Sequence, residues 1–342
     1  MPARARLALP ILLLVMAVYS PAAAEPARAC PTPLAVMKPP DMRASCSSGT
    51  RADGRLRDGA ILPDAGCGFR RIFTMRDERY ATDELVSAIA RAGALLSRGD
   101  FSNRRGGGAN PPLGVGNLSP PAALRMEEDP FLGKRFSISH TSGRAADLAF
   151  FVLDRAGRPT RSFETGIGFR RDGWNVSGYR RYYLPTNAFR DAEPQWGCQR
   201  ASSFRGVSQW KCFVPTRGYR FDDARNWALV KALLLDPDIG VVDPDTGRVR
   251  PKDQGIRRIL ISNPLQERLL RSARGNGAPR ELVDLAAAVM TQPTNALPHD
   301  DHLHIDLNCA PGDVARCGCL NSAMPPRPSV GVRILPPSSF GN

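Results

Sequence analysis

Three of the four histidines in this 342-residue chain fall within six positions, His299-Asp300-Asp301-His302-Leu303-His304, and the fourth is His140. No other feature constrains the fold as tightly, because any structure the chain adopts must hold several imidazoles and carboxylates close together. Side chains two apart on a strand face the same way. A strand over 302–307 therefore puts His302 and His304 on one face and buries Leu303 on the other. Upstream, Ser139-His140-Thr141-Ser142-Gly143-Arg144-Ala145-Ala146-Asp147 places a histidine in a turn and a carboxylate in the strand that follows. Gly143 lets the chain reverse, so both side chains can converge. Two histidines and one carboxylate are the ligand set of a catalytic zinc with an open position. His140, Asp147 and His304 are accordingly the candidate ligands. Their nitrogen and oxygen donors favour zinc, with manganese and iron as compatible alternatives. A hydrolytic site also needs a group to move the proton of the attacking water. His302, on the strand face of His304, is placed for that task. Asp300 and Asp306 read as solvated groups or as partners for histidine N–H groups.

Hydrophobic periodicity supplies the frame around these motifs. The run 69–73 has strand character. Thr82 is placed to cap a helix with Asp83 and Glu84 in its first turn and Leu85, Ile89 and Leu96 near helical spacing, ending at Gly99. The segment 102–121 reads as a loop, and its glycine run lacks the preceding strand and following Lys-Ser/Thr of a phosphate cradle. An apolar run over 146–153 has strand length. The Arg-, Tyr- and Trp-rich stretch 154–220 reads as an elaborated loop region over a cleft. Helices are expected from Asp222 or Asp223 to Leu235, over 264–274 and over 279–290, with strands over 256–261 and 302–307. Strands and helices mixed without βαβ regularity indicate an α+β fold. Its expected form is a small antiparallel sheet carrying the zinc site, flanked by helices and long disulfide-tied loops.

The ends read differently. Arg4 and Arg6, an apolar run over 7–18 and Ala22-Ala23-Ala24 have the layout of a secretory signal. That run is shorter than the roughly 20 residues of a spanning helix. The expected organisation is a signal peptide at 1–24, an N-terminal arm at 25–60, a catalytic domain at 61–322 and a Pro/Ser-rich tail at 323–342. Eight cysteines, Cys30, Cys46, Cys67, Cys198, Cys212, Cys309, Cys317 and Cys319, then favour disulfides in an exported protein. The local pairs expected are Cys198 with Cys212, and Cys309 with Cys317 or Cys319. The net charge of +14 is spread along the chain and comes with no nucleic-acid-binding motif. No nucleic-acid partner and no membrane span are expected, and nothing in the sequence sets the oligomeric state.

The pattern His140-x6-Asp147 followed by His302-x-His304 resembles the lysostaphin/D-Ala-D-Ala metallopeptidase superfamily, and within it the penicillin-insensitive murein endopeptidases. Phe73-Thr74-Met75-Arg76-Asp77-Glu78-Arg79-Tyr80, the helix after it, the helix and strand between Leu229 and Arg258, and His299-x2-His302-x-His304-x4-Cys309 follow that family's order. The resemblance covers roughly residues 60–320. It implies a periplasmic zinc peptidase that hydrolyses the D-alanyl–diaminopimelyl cross-link of peptidoglycan, with His140, Asp147 and His304 on the metal and His302 and His299 near the reacting centre. Sister families keep an acidic base three residues before a ligand histidine, which makes Asp301 the rival of His302. Some members carry further histidines where this chain has Ser137 and Asn175, and the 176–215 insertion departs from the family. The competing readings are a D,D- or L,D-carboxypeptidase or dipeptidase using the same zinc, and a non-catalytic wall-binding module. A purely structural zinc closes all four positions with protein ligands, and the surplus of His302, His299 and Asp301 argues against the latter.

Overall fold

The computed structural model describes residues 43–50, 54–72, 74, 77–98, 110–120, 140–160, 169–174, 178–185, 198–204, 207–214, 218–293 and 299–321. The expected signal peptide, Cys30, Ser137, Asn175 and the tail lie outside them. In chain order, β1 (Cys46–Gly49), β2 (Gly54–Arg57), β3 (Ala60–Ile61), β4 (Ala65–Gly66), β5 (Phe69–Arg71) and β6 (Tyr80–Ala81) precede α1 (Asp83–Arg98). Next come β7 (Leu113–Val115), β8 (Ala145–Ala149), β9 (Val152–Leu153), β10 (Pro159–Thr160), β11 (Gly178–Pro185), β12 (Cys198–Phe204), β13 (Val207–Val214), β14 (Arg220–Phe221) and α2 (Asp223–Leu234). The last described elements are β15 (Ile256–Leu260), α3 (Asn263–Gly275), α4 (Arg280–Val289), β16 (Met290–Thr291), β17 (His302–Leu307) and α5 (Pro311–Cys317).

The α+β class holds, but the sheet is larger and more mixed than expected. Its seven strands run in the order β16-β15-β17-β8-β7-β5-β4. The middle, β15-β17-β8-β7, is antiparallel, while β15 with β16 and β5 with β7 are parallel. Leu85 and Ile89 of α1, Leu229 and Leu233 of α2, Leu265 and Leu269 of α3 and Leu282 and Val283 of α4 form one apolar core with Leu148, Ile259, Leu303 and Ile305 of the sheet. Each fully buried Leu or Ile contributes about 1.5–3 kcal/mol. Leu303 and Ile305 therefore fix which face of β17 turns inward, since a one-residue slip would drive His302 and His304 into that core.

Helix prediction succeeded where periodicity was long. Asp222 caps α2, its side chain accepting from the Arg225 N–H, and α1 carries Asp83 and Glu84 in its first turn and Arg98 in its last, matching the helix dipole at both ends. Short strands were missed. The expected loop 102–121 contains β7, whose three residues are buried and pair with β5 and β8. The apolar run 146–153 is two strands, β8 and β9, interrupted at Phe150 and Phe151. The expected loop region 154–220 contains a three-stranded antiparallel sheet, β11-β13-β12. Its register sets Cys198 directly opposite Cys212.

In the described part of the expected arm, β1 and β2 form a hairpin joined to the C-terminal segment. Cys46 and Cys317 stand at disulfide distance, as do Cys309 and Cys319, and the Gly49 N–H donates to Gly318 O at 3.1 Å. Of the two pairings open to Cys309, the structure has Cys319, and Cys317 reaches back across 271 residues instead. Among the described residues no helix is long and apolar enough to cross a membrane.

Candidate metal centre

β17 and β8 lie antiparallel with His304 directly opposite Asp147 and His302 opposite Ala149. Asp147 is held from both sides of its own backbone, its N–H donating to Asn117 O at 3.0 Å and its O accepting from Gly116 N at 2.7 Å. His140 arrives through the turn that precedes β8. Gly143 takes φ +74°, a backbone angle that favours glycine, and a Cβ there would also lie 2.7 Å from Leu56 Cδ1, which would have to shift. Ser119 closes the same turn from outside. Its hydroxyl donates to the His140 carbonyl and accepts from the Gly143 N–H at 2.7 Å. His299, before β17, is pinned by its N–H on Gln292 Oε1 at 3.0 Å and its O on Ser262 N at 2.8 Å.

The result is a single carboxylate oxygen ringed by imidazoles. Asp147 Oδ1 lies 2.8 Å from His304 Nδ1, 3.3 Å from His140 Nε2 and 3.5 Å from His302 Nε2. The rings of His140 and His304 meet edge to face with centroids 4.9 Å apart, and His299 lies 5.1 Å from His302 by the same measure. Two groups have metal-binding proximity: His140, Asp147 and His304, and also His299, His302 and His304.

Carboxylates stand behind the ring. Asp301 Oδ1 is 2.6 Å from His302 Nδ1, so the other nitrogen, Nε2, is the one turned to Asp147. Asp306, fully buried, has Oδ1 3.0 Å from His304 Nε2, which leaves Nδ1 turned to Asp147. Of the two acids given a supporting role from sequence, Asp306 is in that role, while the Asp300 carbonyl accepts from Phe169 N at 2.7 Å.

The electrostatics follow from this crowding. Burial alone would raise the Asp147 pKa, but His140 and His302 nearby and hydrogen bonds from His140 and His304 hold it well below the carboxylate range. Burial works against charging His304, yet contacts with Asp147 and Asp306 raise it to about 9. His302 is likewise raised against its burial, by Asp147 and Asp301. His299 goes the other way: burial, then repulsion from His302 and His304, lowers it to about 4. At neutral pH it is a free base.

These residues fit a metal ion. With ligand bonds of about 2.0–2.1 Å, two donors on a tetrahedral centre sit roughly 3.3 Å apart, close to the spacing of the atoms around Asp147 Oδ1. The buried His/Asp group can hold a metal ion, and the donor set does not name it. All six sequence-derived residues, His140, Asp147, His299, Asp301, His302 and His304, come together. Sequence reasoning missed Ser119, which carries no motif. A cavity of about 180 Å³ lies beyond the Leu307 end of β17, lined by Arg144, Asn308 and Asp313 rather than by the histidines. Neither a scan against protein-family models nor a search of curated proteins finds a match to this chain.

Proposed function

We propose that this chain is an exported zinc metalloendopeptidase acting on the D-alanyl–diaminopimelyl cross-links of peptidoglycan. The observation that carries the hydrolase reading is the convergence of His140 Nε2, His302 Nε2 and His304 Nδ1 on Asp147 Oδ1. The resemblance of the His140-x6-Asp147 and His302-x-His304 motifs supports the substrate. His140, Asp147 and His304 would hold the metal. When bound, it supplies Lewis acidity toward a scissile carbonyl and lowers the pKa of a water to roughly 7.

The chain's own groups supply the rest. His302 offers Nε2 to the cluster while Asp301 holds Nδ1. A proton taken at Nε2 is thus stabilised by a fixed carboxylate, and the imidazolium can return it to the leaving amine. Asp301 is turned to His302, which favours His302 as the base and Asp301 as the group that orients it. His299, a neutral imidazole beside His302, can donate or accept a hydrogen bond without adding charge.

Digestion of purified cross-linked peptidoglycan tests the reading. Dimeric muropeptides should become monomers, with loss of the reaction on chelation and no effect of β-lactams, since no serine nucleophile is involved. Release of terminal D-alanine with dimers intact would instead identify a carboxypeptidase.

A further inference from the structure

Arg258 lies on β15, one strand away from His304, and belongs to no motif. β15 carries Arg257 and Arg258 between the buried Ile256, Ile259 and Leu260, and a charged residue set among buried apolar neighbours calls for a partner. Register provides one: Arg258 is directly opposite Asp306 on β17. Arg258 Nε donates to Asp306 Oδ2 at 2.5 Å, while Asp306 Oδ1 stands 3.0 Å from His304 Nε2. Asp306 is fully buried and Arg258 is 19% exposed. One carboxylate thus takes its two oxygens to two different jobs, and only Oδ1 faces the metal ligand.

We infer that Arg258, through Asp306, is a positioning residue that commits His304 to bind metal through Nδ1 and so sets the affinity of the site. The argument is geometric. An imidazole on a metal offers one nitrogen and carries its proton on the other. Asp306 accepts at Nε2, so Nδ1 is the atom left for the metal, and Nδ1 is the one that faces Asp147. Asp306 could meet His304 by more than one rotamer. Arg258 restricts that freedom, because its Nε on the next strand holds Oδ2 and leaves Oδ1 toward His304. Carboxylates behind metal-bound histidines typically account for 10–100-fold in affinity. Here the carboxylate itself has a fixed anchor. The inference rests on the metal reading above.

The test uses the full mature chain, stripped of metal, with Zn²⁺ and Co²⁺ as probes. Arg258→Met should weaken Zn²⁺ binding on the order of 10–100-fold and alter the visible spectrum of the Co²⁺ form, while Arg258→Lys should recover part of both. Zn²⁺ affinity and a Co²⁺ spectrum in Arg258→Met equal to wild type would overturn the inference. Should Arg258→Met fail to fold, Asp306→Asn carries the same expectation and the same refutation. A measurement on the unaltered protein stands behind both: in the Zn²⁺ form, ring-nitrogen NMR should find the His304 proton on Nε2, and a proton on Nδ1 would overturn the inference without any variant. Wild-type protein that takes up no Zn²⁺ would overturn the metal reading and the inference with it, a failure distinct from normal uptake by Arg258→Met.

Discussion

Asp222 and Asp147 are both carboxylates kept largely from water, one at the start of α2 and the other in β8. At Asp222 the positive charge is part of the chain. Arg225 Nε donates to Asp222 Oδ2 at 2.7 Å, the Arg225 N–H to Oδ1 at 3.1 Å, and the far end of the guanidinium to Val152 O at 3.0 Å. Guanidinium never deprotonates in a protein, so the pair is permanent and serves the helix it caps. At Asp147 the surrounding groups are imidazoles, all on one oxygen, and an imidazole's charge comes and goes near neutral pH. The counter-charge there is exchangeable, and on the metal reading proposed above a cation can take the place of a proton. A buried cluster that carries its own fixed counter-ion reads as structure, and one whose counter-ion can be exchanged reads as a site.

The largest effects should separate these two places cleanly. Asp147→Ala should lose stoichiometric metal and fall to the activity of chelated wild type, with the metal-free protein still folded. Asp222→Ala should do the reverse. It should keep metal and specific activity but lose about 3–5 kcal/mol of stability, the cost of stranding a buried partner. Metal analysis and denaturant unfolding on both variants decide it. Metal retained in full by Asp147→Ala removes Asp147 from the ligand set, and metal lost from a folded Asp222→Ala breaks the distinction itself.

Next comes the proton carrier within the ring. His302→Ala should retain metal and lose on the order of 10²–10⁴ in kcat, the usual contribution of a placed general base. Asp301→Asn should cost much less, because it leaves His302 in place and weakens only its support. Saturating kinetics with metal content checked would expose the opposite ranking, a near-normal His302→Ala beside an inactive Asp301→Asn, and transfer the role to Asp301.

Acid–base behaviour gives a subtler separation. In metal-free protein His304 is raised to about 9 from an ordinary value near 6.5, and His302 is raised as well. A raised base contributes stability that is full below its unfolded pKa and lost as pH climbs through its folded one. Metal-free protein should therefore weaken between pH ~6.5 and ~9, by up to about 1.4 kcal/mol per pH unit for each proton involved, while its affinity for metal rises over the same interval. His299, lowered to about 4, works at the acid end, costing stability as pH falls from ~6.5 toward that value. Asp222→Ala should show the same alkaline slope as wild type, and His304→Ala a shallower one. An unchanged slope in His304→Ala would show that the exchangeable proton sits elsewhere.

The site was more legible than the frame around it, for physical reasons. His302 and His304 could be placed from their spacing because Leu303 and Ile305 between and beside them allow only one face inward, and Gly143 announced the turn that presents His140. Strands of two or three residues, such as β7 and β6, give alternation too little length to register. β7 is moreover buried along its whole length, so its sequence shows no polar face at all. Long-range partners were the hardest. Cys317 is two residues from Cys319, yet it pairs with Cys46 at the other end of the described chain. Arg258 shows its role only once β15 is set beside β17.

Ser119 is the extreme case of that blindness and yields the smallest effect. It sits among glycines and prolines, and its value lies wholly in what it meets: the His140 carbonyl and the Gly143 N–H, the two ends of one turn. Its own backbone exchanges hydrogen bonds with Tyr80, donating to Tyr80 O at 2.8 Å and accepting from Tyr80 N at 3.0 Å, so its hydroxyl is held still. Removing the hydroxyl leaves a buried N–H without its acceptor, which costs about 1–3 kcal/mol. Ser119→Ala should lose about that much stability and a few-fold in metal affinity, because the turn carries His140 but not Asp147 or His304. Ser119→Thr keeps the hydroxyl and should recover the affinity if the extra methyl fits. That pattern would place Ser119 with the exchangeable cluster. A stability loss of that size in Ser119→Ala with metal affinity untouched would place it instead with Asp222, as part of the frame alone.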